Sequence, residues 1–219
     1  MRGKPPLLAL VGAASVLALS GCGSGNQYVK NDAQGVYAKV PDGWAVYDEA
    51  DLAPDASERD LERLGQLQWT RTLHGGDGTH TVELSRVPNG SVPSGLMVVG
   101  AVLPQDRETL DLRTLRGRGN PNADPLTLEQ QPPQTGQTFT VLQDEQVELD
   151  GGFSGVHTIY AVDGTEGGPF ITEQTVVRNA HSSYIYIFKV SCSPECYFDT
   201  YKDEIKDFVD SWTIQEVRS

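Results

Sequence analysis

The chain has 219 residues, with 17 Lys and Arg against 30 Asp and Glu and a formal net charge of −13. That length suits one folded domain with a targeting or linker segment. The acidic balance argues against a nucleic-acid surface, which needs a stripe of Lys and Arg, and four His and three Cys leave little material for a multi-ligand metal site.

The N-terminus has the organisation of a targeting segment. Arg2 and Lys4 precede an uncharged apolar stretch over residues 7–19. This is too short to span a bilayer, which takes about 18 residues or more, but it fits a signal-peptide core. Leu19-Ser20-Gly21-Cys22 follows. It resembles the lipobox of bacterial lipoproteins, and the resemblance implies a diacylglycerol on Cys22 and cleavage just before it. An ordinary secretory signal with a chance cysteine is the alternative.

The expected organisation is therefore a signal peptide over residues 1–21, a polar flexible tether over 22–34, and one domain over 35–219. Cleavage removes Arg2 and Lys4 and no acidic residue, so the remainder is more acidic by two charges. Such a domain is repelled by an anionic lipid surface. Acyl chains would hold it at the extracytoplasmic face, each buried methylene contributing about 0.8 kcal/mol and two chains giving stable anchoring.

In chain order, residues 36–40 read as a strand, Pro41-Asp42-Gly43 as a turn, and residues 44–47 as a returning strand, together a hairpin. Ser57 has the chemistry of a helix N-cap, with Leu61, Leu64 and Leu67 following at helical spacing. Residues 69–73 are strand-like, residues 74–78 form a loop tip, and residues 81–87 alternate as a return strand. Residues 96–103 (LMVVGAVL) are apolar on both faces and predict a buried central strand. A short helix is expected over 109–116.

Residues 117–137 are rich in Pro, Gly, Asn and Gln and read as the longest irregular stretch. Strands are then expected over 138–141, 146–149, 153–162, 171–178 and 183–190. Gly151-Gly152 and Asp163-Gly164 mark tight connections and hence antiparallel pairing. Tyr184, Tyr186, Phe188 and Val190 face one way along the last of these strands, and Ile185 and Ile187 the other. Tyr201, Ile205, Phe208, Val209 and Trp212 share one face of a C-terminal amphipathic helix.

With Cys22 acylated, Cys192 and Cys196 remain. Outside the cytoplasm an even pair oxidises, and Ser193-Pro194 favours the turn that brings the two Cα atoms close enough. Closing so short a loop contributes about 2 kcal/mol by the loop-entropy relation. The rival is a metal pair or a redox motif. The intervening spacing is three residues and not two, and no nearby His or Cys completes a ligand set.

The hairpin Val40-Pro41-Asp42-Gly43-Trp44, the antiparallel strands, the Tyr/Ile/Phe strand and a final helix ending in Asp210-Ser211-Trp212, together with the lipobox, resemble the PsbP-like lipoproteins of actinobacteria, the LpqN/LpqT type included. The resemblance runs over most of residues 35–214. It implies an α+β fold, an antiparallel sheet flanked by helices as an α/β/α sandwich. It also implies a non-enzymatic role in the cell envelope as an assembly factor or a binder of partner proteins or lipids. The family has no catalytic residue set to carry over, and no cofactor.

Gly152-Phe153-Ser154-Gly155-Val156 lacks the second glycine that a nucleophile elbow needs at position 156. There is no Walker A loop and no EF-hand run. His74 and His80 flank a turn holding Asp77, a solvated tip or a weak metal site without a fixed third ligand. His157 lies mid-strand and His181 in a loop, neither with a sequence-adjacent partner to make it a base. Arg113, Arg116 and Arg118 cluster in an otherwise acidic chain. Guanidinium groups suit carboxylate or phosphate recognition, so the cluster is a candidate anion contact; a solvated basic helix end is the alternative. The expected partners are the membrane, through the N-terminal lipid, and an envelope protein or a lipid ligand.

Overall fold

A computed structural model describes residues 26–48, 67–75, 90–119, 124–131, 136–164 and 167–215. Among the described residues ten strands form two sheets. They are β1 (Asn26–Asn31), β2 (Val36–Pro41), β3 (Ala45–Tyr47), β4 (Leu67–His74), β5 (Ser94–Ala101), β6 (Thr138–Leu149), β7 (Phe153–Asp163), β8 (Phe170–Arg178), β9 (Tyr184–Cys192) and β10 (Thr213–Ile214). Three α-helices are described: α1 (Leu112–Gly119), α2 (Pro125–Gln130) and α3 (Lys202–Ser211).

The large sheet has the order β3-β4-β5-β9-β8-β7-β6, and the small one β1-β2-β10. Every pair is antiparallel. The α+β class that the resemblance implies is therefore the observed one. The run over 96–103 supplies an interior strand: β5 lies between β4 and β9, with Met97 against Phe188 and Val98 against Ile187.

Alternation divides the core between the two faces of the large sheet. On one face Val99, Tyr186, Phe188 and Val190 meet Trp44, Ile205 and Phe208, with the small sheet's Val36, Ala38 and Val40 closing the same core. Phe208 is fully buried, 4.5 Å from Phe188 and 5.3 Å from Trp44 between ring centroids. On the other face Val98, Val156, Val176 and Ile187 meet Leu110 and Leu115. Helix α3 thus closes one face and α1 the other, as the apolar spacing of Ile205 and Phe208 requires.

Several local expectations change. The turn at Pro41-Asp42-Gly43 forms, with Gly43 at φ +87°, a value glycine adopts freely. The strands on either side do not pair: β1 runs along one edge of β2, and on the other β10 takes Val36 and Tyr37 while the Ser211 hydroxyl bonds the Lys39 main chain. β3 crosses to the large sheet instead and pairs with β4, Val46 opposite Leu73. Residues 26–31, expected within the tether, form β1, whose Val29 is buried. Leu67, expected on a helix, opens β4. The helix residues 57–66 and the return strand 81–87 lie outside the described residues, as do Cys22, Asp77 and His80.

The expected strands 138–141 and 146–149 are one strand, β6, with a bulge between Val141 and Gln143 that leaves Leu142 exposed. The stretch 117–137 is more regular than its composition suggests. Gly117, Arg118 and Gly119 complete α1, and Asp124 caps α2, its carboxylate accepting from the Leu126 amide at 3.2 Å and the Thr127 hydroxyl at 2.9 Å, with Pro125 at the first helical position.

Candidate functional site

A cavity of about 350 Å³ lies beside α1, on the sheet face that the helix covers. Its floor follows from strand register: Leu67, Gly100 and Ile185 stand side by side across β4, β5 and β9, with Val98 opposite Ile187 in the next row of that face. Gly100 brings no side chain to a row where Leu67 and Ile185 bring branched ones, so the floor is hollowed at β5. Val102, Leu103 and Leu110 form the far wall. They belong to the segment that leaves β5 through the 3₁₀ turn Pro104–Thr109. Gly117 and Arg118 of α1 and Asp106 of the turn complete the lining, and Asp106 and Arg118 are its charged members.

Polar links hold the cover in place. Arg116 makes a bidentate pair with Asp144 of β6, both hydrogen bonds 2.7 Å. The buried Gln174 of β8 donates from Nε2 to the Arg116 carbonyl at 3.0 Å. Arg178, at the end of the same strand, donates to the Leu110 carbonyl at 2.7 Å and so braces the cavity wall. Sequence reading did not single out Gln174 or Arg178, since nothing in the local pattern says that their partners are main-chain carbonyls of a segment remote in the chain.

The three arginines separate into different roles. Arg116 is committed to Asp144, whose charge and hydrogen bonds raise the guanidinium pKa further above its ordinary value. Arg113, largely exposed, lies 3.8 Å from Asp124. Arg118 is exposed at the cavity and has neither a hydrogen-bond nor an ion-pair partner among the described residues.

Cys192 and Cys196 form a disulfide with Cα atoms 5.9 Å apart, both residues buried. The turn between them is held by Ser193, whose Oγ accepts from the Cys196 amide at 3.2 Å. A π-helical turn over Cys196–Thr200 then delivers Tyr197 to the α3 face of the sheet. There the Tyr197 hydroxyl donates to Glu173 Oε2 at 2.5 Å, and Glu173 Oε1 is 3.4 Å from His157 Nε2. His157 Nδ1 shares a 2.9 Å hydrogen bond with Thr175 Oγ1.

The partners that His157 lacks along the chain thus arrive from β8, Thr175 directly opposite it and Glu173 diagonal to it. Burial, then the Glu173 carboxylate, push the Tyr197 phenol far above its ordinary range, so it is a firm donor. The four groups satisfy one another, as a half-buried polar cluster must. Among the described residues no three His, Cys, Asp or Glu side chains are placed to hold a metal ion.

No protein-family pattern matches the chain, and a comparison with curated proteins finds no match. Solved structures do resemble it. Cyanobacterial PsbP (CyanoP) from Synechocystis sp. PCC 6803 superposes with a TM-score of 0.52 at 14% identity, over 91% of this chain and 99% of that one. LpqN of Mycobacterium tuberculosis, described as involved in cell envelope biogenesis, gives 0.48 at 15% identity, over 87% of this chain and 91% of its own. The Ran-binding protein Mog1p of Saccharomyces cerevisiae gives 0.43 at 9% identity, over 86% and 95%. The likeness to CyanoP shows the fold: this is a PsbP-like antiparallel sheet flanked by helices.

Proposed function

We propose that this chain is a lipid-anchored, non-enzymatic binding module at the extracytoplasmic face of the membrane, and that it takes a small apolar ligand between its large sheet and α1. The observation that carries the reading is the cavity of about 350 Å³ with its aliphatic floor and wall. Small-molecule sites are concave, mostly apolar and supplied with a few polar groups, in the range of about 300–1,000 Å³. The lipobox ending at Cys22 supports the anchor. With β1 starting at Asn26, four chain steps separate the acylated cysteine from the first strand, about 14 Å when fully extended. The domain would therefore work close against the membrane and sample lipid-derived molecules directly.

Native mass spectrometry of the protein purified gently from its host's membranes tests this. Mass beyond the acylated polypeptide supports a ligand carrier and identifies the ligand class. A bare acylated mass counts against it. Radiolabelled fatty acid incorporated into the native chain and absent from Cys22→Ala supports the anchor, and equal labelling of both removes it.

A second reading, a docking module for an envelope protein, is favoured by β6. This strand ends the large sheet, and Leu142 and Leu149 are exposed along it. Such an edge can pair with an added strand. A photo-crosslinker at position 142 in intact cells that captures one discrete envelope protein supports this reading, and labelling of solvent or bulk lipid alone counts against it.

A further inference from the structure

We infer that the ligand of this cavity is a single-tailed carboxylate, its tail lying on the β4-β5-β9 floor and its head held by Arg118. The inference rests on the binding reading above and names the ligand class for the same site. Three observations carry it.

The first is size. A volume of about 350 Å³ stands at the lower end of the range for small-molecule pockets, about 300–1,000 Å³. It has room for one aliphatic tail and not for the two of a diacyl lipid. The walls agree: Val98, Ile185 and Ile187 below and Leu103 and Leu110 beside are all aliphatic.

The second is the state of Arg118. Arg116 is spent on Asp144, and Arg113 lies beside Asp124. Arg118 alone of the three lines the cavity, and it alone has no partner among the described residues. A guanidinium presents a rigid fork of donors that matches a planar carboxylate in a bidentate pair. An amphiphile whose tail is on the floor brings its head to the rim, where this fork stands.

The third is the sign and size of the charge. Asp106 shares the lining with Arg118, and the chain carries a net −13. One negative charge on the head is met by one guanidinium. A second, as on a phosphate monoester, meets no further cation in the lining and is repelled by the surrounding acid. A cationic head would have Asp106 but would sit against Arg118. The neighbourhood therefore favours a carboxylate monoanion.

Tritiated dodecanoate binding to the full chain in nanodiscs, with empty nanodiscs as background, tests the assignment. Dodecanol, dodecyl phosphate and dodecylamine serve as competitors of equal tail length. Dodecanoate is expected to bind best. Arg118→Gln should weaken it about tenfold or more, the scale of a lost charge-assisted hydrogen bond, while leaving dodecanol competition unchanged. Arg118→Lys should fall between the two, and Arg113→Gln should bind as the native chain does. Ile185→Trp should abolish binding by filling the floor; if its thermal melt shows that it does not fold, Leu103→Trp fills the wall instead.

Dodecanol competing as well as dodecanoate, or an unchanged affinity in Arg118→Gln, would overturn the head-group assignment while leaving the cavity reading in place. Tighter binding of dodecyl phosphate would overturn the carboxylate, and tighter binding of dodecylamine would make Asp106 the reader. Failure of all four to bind, or full dodecanoate binding in a folded Ile185→Trp or Leu103→Trp chain, would sink the cavity reading itself.

Discussion

Arg116 on α1 and Asp144 on β6 meet in a bidentate pair across 28 residues of sequence, both side chains mostly buried. Asp144 also accepts from the Thr158 hydroxyl at 3.2 Å, so the pair is set within a small network on the sheet. It fixes where α1 lies and hence where the cavity opens beside it. Arg116→Ala should destabilise the fold by about 2–3 kcal/mol, since it leaves a carboxylate mostly out of water without its cation. Arg116→Lys should recover little, having no fork. Urea unfolding measures both. In a double-mutant cycle Asp144→Ala should add little on top of Arg116→Ala, and additive losses would refute the coupling.

The Cys192–Cys196 bridge closes a short loop and sits buried at the end of β9. The Cys192→Ala, Cys196→Ala double variant should lose about 2 kcal/mol by loop entropy, a fall in Tm of about 4–8 °C for a chain of this size. Reduction of the native protein without denaturant should be slow, because both cysteines are buried. A Tm insensitive to the double substitution would mean that the turn is held by Ser193 and the π-helical turn alone.

Phe208 touches Trp44 on one side and Phe188 on the other, and Phe188 stacks on Trp212 at 5.2 Å. Phe208→Ala should cost about 3–5 kcal/mol as transfer and cavity terms add, and Phe208→Leu distinctly less. Trp44 and Trp212 flank the site, so tryptophan fluorescence should report the loosened packing in the Ala variant before global unfolding.

Three phenols hold their protons tightly. Burial pushes Tyr160 and Tyr186 up to about 12, and burial with the Glu173 carboxylate pushes Tyr197 higher still. In the unfolded chain a phenol titrates near pH 10. Above that pH the unfolded state binds fewer protons than the native one, so stability falls as pH rises. Their contribution is fully present below about pH 10 and is lost as pH passes through the folded values, about 12 for Tyr160 and Tyr186. Denaturant midpoints taken from neutral to alkaline pH should decline over that window. Tyr160→Phe should make the decline shallower, and an unchanged slope would contradict the assignment.

Much of the element content could be read locally. The tight connections at Gly151-Gly152 and Asp163-Gly164 set off residues 153–162 and 171–178 as strands, alternation marked 183–190, and the spacing of Ile205 and Phe208 marked the last helix, because side-chain direction follows backbone period. Local cues failed where a distant partner decided the outcome. β3 left the hairpin, and Ser211 and β10, from the far end of the chain, take the free edge of β2 at Lys39 and at Val36 and Tyr37. Leu67 left the helix because its row on the sheet is completed by Gly100 and Ile185.

The sequence by itself determined which residues face a core, where the cysteine pair would close, and that the domain is acidic with one basic cluster. Only the tertiary structure decided the cavity, the partners of His157, and which arginine is left to meet a ligand. The reason is physical. Alternation and amphipathicity are properties of a few neighbouring residues, and they state that a face is buried without stating against what. Arg116 and Arg118 look alike in the chain. They differ because one turn of α1 lays the first over Asp144 and leaves the second at the rim of an apolar hollow.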